Sequence, residues 1–266
     1  MVRGWPGSVR MVAVAVAAAS CLAATACGGI TAASLKPIPS VNGVSDPLAH
    51  LPASKIAAEA NANAEAAPTL TMTGTATDSG TSVALTLGFK HGVGCSGTVD
   101  YPGKGSIKLI VIGKSVYIKP DAKFWDASAG SKASTIITLL DGRYLEVPAS
   151  DKNMAGAADA CSLSKMLGSG SAASYTKGKV TTYGGARVLP LKLSDGSTEY
   201  VTDTRQPEFV RAFAPGGSQV GPGDIAISVG GPVTVSAPPA SQVINESALG
   251  ISPGAAQPTP TGPSLN

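Results

Sequence analysis

Residues 69–77 read TLTMTGTAT, and residues 83–89 read VALTLGF after the turn sequence DSG at 78–80. In the first segment threonine occupies every second position, and Leu, Met, Gly and Ala occupy the others, so the two faces of a strand differ in polarity. The second segment continues the alternation with Val, Leu, Leu and Phe on one face. A period of two on both sides of a turn predicts an antiparallel β-hairpin with one buried and one solvated face.

More strand-like segments follow this hairpin, and they resume after an interruption in the middle of the chain. Turn sequences such as Gly184-Gly185 and Asp195-Gly196 separate neighbouring segments and favour hairpin connections. The predicted strands beyond the first hairpin are residues 94–100, 106–112, 116–119, 176–183, 186–193, 197–202, 208–213, 225–229 and 233–235.

Helical periodicity appears in three places. Asp46-Pro47 predicts the start of an Ala-rich helix that continues until Pro68. In the middle of the chain, residues 131–140 and 154–167 carry apolar side chains at helical spacing. The order helix, strands, two helices, strands predicts an α+β domain with one large curved antiparallel sheet and helices packed on a single face.

The N-terminal segment has the features of a bacterial lipoprotein signal. Two arginines precede a small and apolar run at residues 11–19, and the segment ends in Ala24-Thr-Ala-Cys27. Small residues before Cys27 favour cleavage there, which makes residues 1–26 a signal peptide and Cys27 the lipidation site. A lipobox usually has Leu where this chain has Ala24, so a plain secretory signal and an uncleaved anchor are the alternatives. The predicted location is the extracytoplasmic face of the cell membrane.

Composition divides the rest of the chain into three parts. Residues 27–46 contain two prolines and little periodicity, and they are predicted to be a flexible tether. Residues 47–236 form the predicted folded domain. Residues 237–266 are rich in Pro, Ala, Ser and Thr, and a tail of this composition is predicted to stay disordered.

Two cysteines remain in the predicted domain, Cys95 and Cys161. In an oxidising compartment an isolated pair most often forms one structural disulfide. The alternative is a Cys95 nucleophile activated by His91. The glycine-rich sequence HGVGC at residues 91–95 is typical of a turn and does not favour that reading.

The charge and the motifs of the chain do not favour nucleic-acid binding, a penicillin-recognising enzyme or a metal site. The chain has 20 basic and 17 acidic residues, and removal of the signal would leave a net charge of about +1, which does not indicate nucleic-acid binding. Ser162-Leu-Ser-Lys165 matches the Ser-x-x-Lys spacing of penicillin-recognising enzymes, but its companion motifs are missing. His50 and His91 are the only histidines, and neither lies at metal-ligand spacing. We therefore expect no catalytic residues, no metal and no cofactor.

Several short stretches resemble a known family. They are GCSG at residues 94–97, VYIK at 116–119 followed by Phe124-Trp125, YLEVP at 144–148, the strand pair 188–193 and 200–201, and PVTVSAPP at 232–239. Together with the order of elements, they resemble the LppX/LprG-type actinobacterial lipoproteins, whose fold is related to the LolA/LolB carriers. The resemblance covers nearly the whole domain and implies a half-barrel sheet with helices on its concave face.

The resemblance also implies a function. Members of this type hold the acyl chains of membrane lipids or lipoglycans in an apolar cavity between sheet and helices during transport across the envelope. Small inward residues such as Gly74 and Ala76 leave room for a ligand or simply fit under an Ala-rich helix. The alternative is a surface interaction or sensor lipoprotein with a filled core, which an exposed cluster around Phe124-Trp125 would favour. The protein partner is unknown.

Overall fold

The computed structural model describes residues 46–78, 80–151, 154–167, 174–217 and 221–246. The predicted signal peptide, Cys27 and the predicted tether up to residue 45 lie outside the described residues, as do residues 247–266. Among the described residues, no helix is long and apolar enough to span a membrane.

One sheet dominates the described part of the chain. Its strands are β1 (Thr69–Asp78), β2 (Thr81–Lys90), β3 (Gly94–Tyr101), β4 (Gly105–Ile112), β5 (Ser115–Pro120), β6 (Tyr144–Pro148), β7 (Tyr175–Lys177), β8 (Thr181–Tyr183), β9 (Ala186–Leu193), β10 (Thr198–Thr202), β11 (Phe209–Ala214), β12 (Gly223–Val229) and β13 (Val243–Asn245). The order across the sheet is β13-β6-β5-β4-β3-β2-β1-β12-β11-β10-β9-β7, with β8 paired to β9. Every pairing is antiparallel except that of β13 with β6. The sheet is open.

The helices are α1 (Ala53–Ala66), α2 (Ala122–Ala129), α3 (Ala133–Leu140), α4 (Ala155–Ala160) and α5 (Leu163–Met166). Side chains of α1, α2, α4 and α5 pack on one face of the sheet, the face that carries Leu70, Met72 and Leu109. We call this the inner face. The predicted α+β class, a large antiparallel sheet with helices on one face, is confirmed.

The first hairpin has the predicted alternation. Met72 of β1 lies opposite Leu87 of β2, and both are about 1% exposed on the inner face. Thr73 and Thr75 are exposed on the other side of β1. The hydrophobic period of two therefore sets both the register and the buried face of this hairpin.

Two clusters of buried side chains form the core of the described part of the chain. The main cluster lies between α1 and strands on both sides of β1, and it includes Ile56, Ala57 and Ala60 of α1, each 0% exposed. The second cluster joins β4, β5 and β6 to α2 and to Met154. Cys161 packs against both clusters.

The helix predicted at 154–167 is two short helices. The chain turns between α4 and α5 at Cys161, and Ser162 has an extended backbone conformation. Cys161 is joined to Cys95 of β3, with 5.4 Å between their Cα atoms. The predicted continuous helix is therefore wrong. The chain bends at Cys161, the residue that the disulfide joins to the sheet.

Other elements also differ from the predictions, and the predicted strand at 176–183 is two short strands, β7 and β8. Helix α1 begins at Ala53 after Pro52, while the segment around Pro47 forms a turn. Helix α2 and strand β6 are absent from the predicted elements. Helix α2 begins where Asp121 caps it, with the Phe124 N–H donating to Oδ1 at 2.7 Å. Such a side-chain cap satisfies one of the free N–H groups of the first turn.

The tail prediction requires the chain to leave the fold at residue 236. Instead, the chain remains part of the fold beyond this residue. Residues 230–236 cross the outer face, where Ser96 Oγ donates to the Thr234 carbonyl at 2.8 Å. A 3-10 turn at Ala240–Gln242 leads into β13, which pairs with the edge strand β6. The predicted strand at 233–235 is wrong, and the disordered tail is wrong for residues 237–246. The physical reason is that β13 supplies partners for the free backbone groups of an edge strand.

Candidate functional site

A cavity lies between the inner face of the sheet and the pair α4 and α5, at the boundary of the two core clusters. Its volume is about 60 Å³, and most of its surface is apolar. Strands β1 to β5 form its floor, and α4 and α5 form a cover that we call the lid. Residues of both core clusters line the cavity, so it lies where the two clusters meet.

The cavity exists because the lid presents small groups to the sheet. Helix α4 contributes Gly156, Ala157 and Ala160, none larger than a methyl side chain, and α5 contributes Met166. A side chain of leucine size in α4 would occupy most of the space. The run AGAADA at residues 155–160 is the sequence signal for this feature, although alanine also occurs throughout the tightly packed helix α1.

The floor is built from two cross-strand rows. In one, Leu85, Val99 and Ile107 lie side by side on β2, β3 and β4. In the next, Leu87 and Leu109 lie on either side of Gly97, and the Leu87 side chain lies over the glycine. A Cβ atom at Gly97 would collide with the Thr86 carbonyl. The glycine therefore allows β2 and β3 to approach closely.

A polar pair closes one end of the cavity. Asp78, the last residue of β1, is 4% exposed, and Tyr101, the last residue of β3, donates its hydroxyl to Asp78 Oδ2 at 2.9 Å. The Tyr101 ring packs against Phe124, with ring centroids 5.5 Å apart. Burial and then the charge of Asp78 raise the pKa of Tyr101. The phenol therefore stays protonated and continues to donate to the carboxylate.

The disulfide ties the lid to the floor at the other end. Cys95 lies on β3 opposite Phe89, is 0% exposed and is bonded to Cys161 between the two lid helices. The pairing follows from the two cysteines of the domain, as the sequence predicts. It leaves Cys95 without the free thiol that a nucleophile requires. His91 is exposed, and its Nδ1 lies 2.8 Å from the Glu65 carbonyl oxygen at the end of α1.

The remaining sequence candidates do not converge on this cavity. Ser162 Oγ lies 3.2 Å from Ser164 Oγ, and the side chain of Lys165 is outside the described residues. Within the described ranges, no three His, Cys, Asp or Glu side chains are placed to hold a metal ion. Phe124 is 4% exposed and Trp125 is partly buried, so this pair is not an exposed aromatic cluster.

Sequence reasoning missed the Asp78–Tyr101 pair. It also did not distinguish the roles of Gly74 and Ala76, the two small residues of β1. Residues 78–80 indicate only a turn, and the partner Tyr101 is two strands away in the chain. Ala76 lines the cavity, whereas Gly74 is a packing glycine. Its φ is 155°, and a Cβ atom there would collide with the Asp224 carbonyl.

A second buried carboxyl lies outside the cavity, on the side of the core covered by α1. Glu199 projects from β10 between Leu191 and Ala212, and Tyr175 donates a hydrogen bond to it. Its Oε2 atom is buried without a hydrogen-bond partner. Burial raises the pKa of Glu199 to about 7, and the hydrogen bond from Tyr175 offsets part of this effect.

Comparisons with known proteins give distant structural likenesses. No protein-family model and no curated protein match the chain. The crystal structure of LprF from Mycobacterium bovis matches with a TM-score of 0.43 and 16% identity, covering 70% of this chain and 96% of that chain. LprF is of the LppX/LprG type, the type that the sequence resembles. A DUF1329 family protein from Desulfovibrio piger matches with a TM-score of 0.25 and 10% identity, covering 69% of this chain and 92% of that chain.

Proposed function

We propose that the chain is a lipoprotein anchored through Cys27 to the extracytoplasmic face of the cell membrane, and that its domain binds acylated lipids or lipoglycans and carries them across the envelope. The observation that carries this proposal is the cavity between lid and sheet. It has an aliphatic floor, a cover of small residues and a single polar end. An aliphatic floor and a polar end match the two parts of an amphiphile.

The energetics of such a site need no catalytic group. Each methylene that leaves water contributes about 0.8 kcal/mol, so a chain of twelve methylenes gains on the order of 10 kcal/mol before the costs of association. The aliphatic side chains Leu85, Ile107 and Leu109 supply this surface. The polar end is then free to determine which head group is accepted.

The lid has to move for a long chain to enter. A cavity of about 60 Å³ has room for only a few water molecules. Gly156, Ala157 and Ala160 bury little apolar area against the floor, so displacing α4 costs less than displacing a helix with large side chains. The bond from Cys161 to Cys95 keeps the lid attached while α4 swings away.

A surface interaction or sensor lipoprotein with a closed core is the second candidate. The small volume of the cavity favours it, while the burial of Phe124 removes the aromatic surface patch that it would use. The two candidates differ in one measurable quantity, the amount of lipid bound to the chain without a covalent bond.

The test is lipid extraction from the full-length chain, purified from the membrane of an actinobacterial host and compared with two variants. Ala157→Leu fills the cavity from the lid. Ala127→Leu makes the same change on α2, where Ala127 is exposed, and serves as the control. We expect about one extractable lipid per chain for the wild type and for Ala127→Leu, and a loss of at least fivefold for Ala157→Leu. Equal lipid in all three, or none in the wild type, would contradict lipid binding in this cavity.

A further inference from the structure

The cavity has a limited length along the strands. On β2 the lining side chains run from Val83 to Leu87, and the next residue on the inner face, Phe89, does not line it. The four residues from Val83 to Leu87 span roughly 13 Å. Phe89 lies opposite Cys95, whose bond to Cys161 runs from the floor to the lid. A chain that lies along the strands therefore meets a covalent barrier at this end.

The wall on the side of β4 and β5 is rigid. Ile107, Leu109 and Ile118 line the cavity there, and all three are buried in the second core cluster. Each is held in the sheet by its strand neighbours. The side chains of Ile107 and Ile118 are branched at Cβ, which restricts rotation about χ1. This side of the cavity therefore has little freedom to make room for more ligand.

Met166 forms the wall that can change shape. It is the last residue of α5, lines the cavity and also packs against the main core cluster. Helix α5 contacts α1, so Met166 separates the cavity from the core beneath α1. Its side chain is unbranched and has three rotatable bonds, so it fills irregular spaces and can rearrange.

The backbone around Met166 is held on both sides. Cys161, two residues before α5 begins, is bonded to β3. Leu167 follows Met166 and is buried in the main cluster, and its N–H donates to the Leu163 carbonyl at 2.8 Å. When α4 moves away to admit a chain, α5 therefore stays in place. The side chain of Met166 is then the part that adapts to the ligand.

On the basis of the proposed lipid binding, we infer that Met166 sets the length of the acyl chain that the cavity accepts. The disulfide blocks extension along the strands, and rigid side chains fill the β5 side. A longer chain therefore extends toward the main cluster, into space that Met166 occupies. Beyond Cβ its side chain has three heavy atoms, which take the place of about three methylene groups.

The experiment measures how affinity depends on chain length at a constant head group. Saturated monoacylglycerols of twelve to eighteen carbons displace a fluorescent long-chain alcohol from the full-length chain in a nonionic detergent, with correction for partition into the detergent. We expect the wild-type affinity to stop rising within this series. In Met166→Ala the affinity for the eighteen-carbon ligand relative to the twelve-carbon ligand should rise at least fivefold above the wild-type ratio. Met166→Phe adds volume and should lower the ratio at least fivefold.

Met154→Ala is the matched control, because Met154 is another core methionine that packs in the second cluster and does not line the cavity. We expect its ratio to stay within twofold of the wild type. Unchanged ratios in both Met166 variants, or an equal rise in Met154→Ala, would overturn the role of Met166 and leave lipid binding intact. A wild-type affinity that rises steadily to eighteen carbons would do the same, and this series does not depend on the folding of any variant. Failure of every ligand to bind the wild type would overturn the proposed lipid binding as well.

Discussion

Helices α1 and α4 both present alanine to the inner face, yet one seals the core and the other leaves a cavity. Helix α1 has 14 residues, and its Ala57 and Ala60 are completely buried beside Ile56. Helix α4 has six residues, and its Ala157 and Ala160 line empty space. The difference shows that small residues do not by themselves define ligand space. The two helices differ in length, and α4 ends at Cys161, which is bonded to the sheet.

We expect the largest change in stability when the disulfide that attaches the lid to the sheet is removed. The Cys95–Cys161 bond closes a loop with a sequence separation of 66, and the chain-entropy model gives about 4 kcal/mol of stabilisation for a loop of this length. Replacing both cysteines by alanine should lower the free energy of unfolding by about this amount, as measured by urea denaturation. The variant should match the reduced wild type in stability. A loss below about 1 kcal/mol would show that the lid is held by packing alone.

The buried carboxyl on the α1 side gives the next effect. The pKa of Glu199 is raised from its ordinary value to about 7, so the folded state favours the protonated form. This stabilisation is fully present below the pKa of the unfolded chain and is lost as the pH rises through 7. We expect the free energy of unfolding to fall by about 3 kcal/mol between pH 4.5 and pH 8. Glu199→Gln should remove most of this dependence in the same denaturation series, and an unchanged pH profile would contradict the assignment.

Because α1 is tightly packed and α4 adjoins the cavity, replacing alanine by leucine should change stability differently in the two helices. Ala60→Leu adds volume where α1 contacts the sheet and should cost about 2 kcal/mol of stability, because extra atoms in a packed core force side chains and backbone apart. Ala157→Leu adds the same volume above the cavity and should change stability by less than about 0.5 kcal/mol, or raise it. Thermal unfolding of the two variants measures the difference. Equal losses would mean that α4 is packed as tightly as α1.

The alternation in β1 and β2 predicts their pairing and inner face, because a hairpin is a local structure with a period of two. The last strand, β13, has three residues and pairs with a strand about 100 residues earlier, so no local pattern reveals it. The two-helix lid follows from a covalent bond between distant residues. Helix α2 depends on a single cap at Asp121, which is a weak signal within its segment.

Part of the candidate site could be predicted from the sequence, and part of it could not. The cysteine count predicts the disulfide, since only two thiols remain in the domain. The cavity and the Asp78–Tyr101 pair depend on which faces of β1, β3 and α4 meet, and that information lies in the sheet order. Gly74 and Ala76 look equivalent in the alternating pattern, but Asp224 of β12 packs against one and the cavity adjoins the other.

The most direct test of the central claim is a crystal structure of the protein with a monoacylglycerol brominated midway along its chain. Anomalous scattering locates the bromine atoms without reference to any assumed pose. The account predicts bromine between the lid and the floor, in contact with Leu85 or Ile107 and beneath Ala157, with α4 displaced from its present position. Bromine confined to the outer face of the sheet, or an unchanged lid and cavity at saturating ligand, would contradict it.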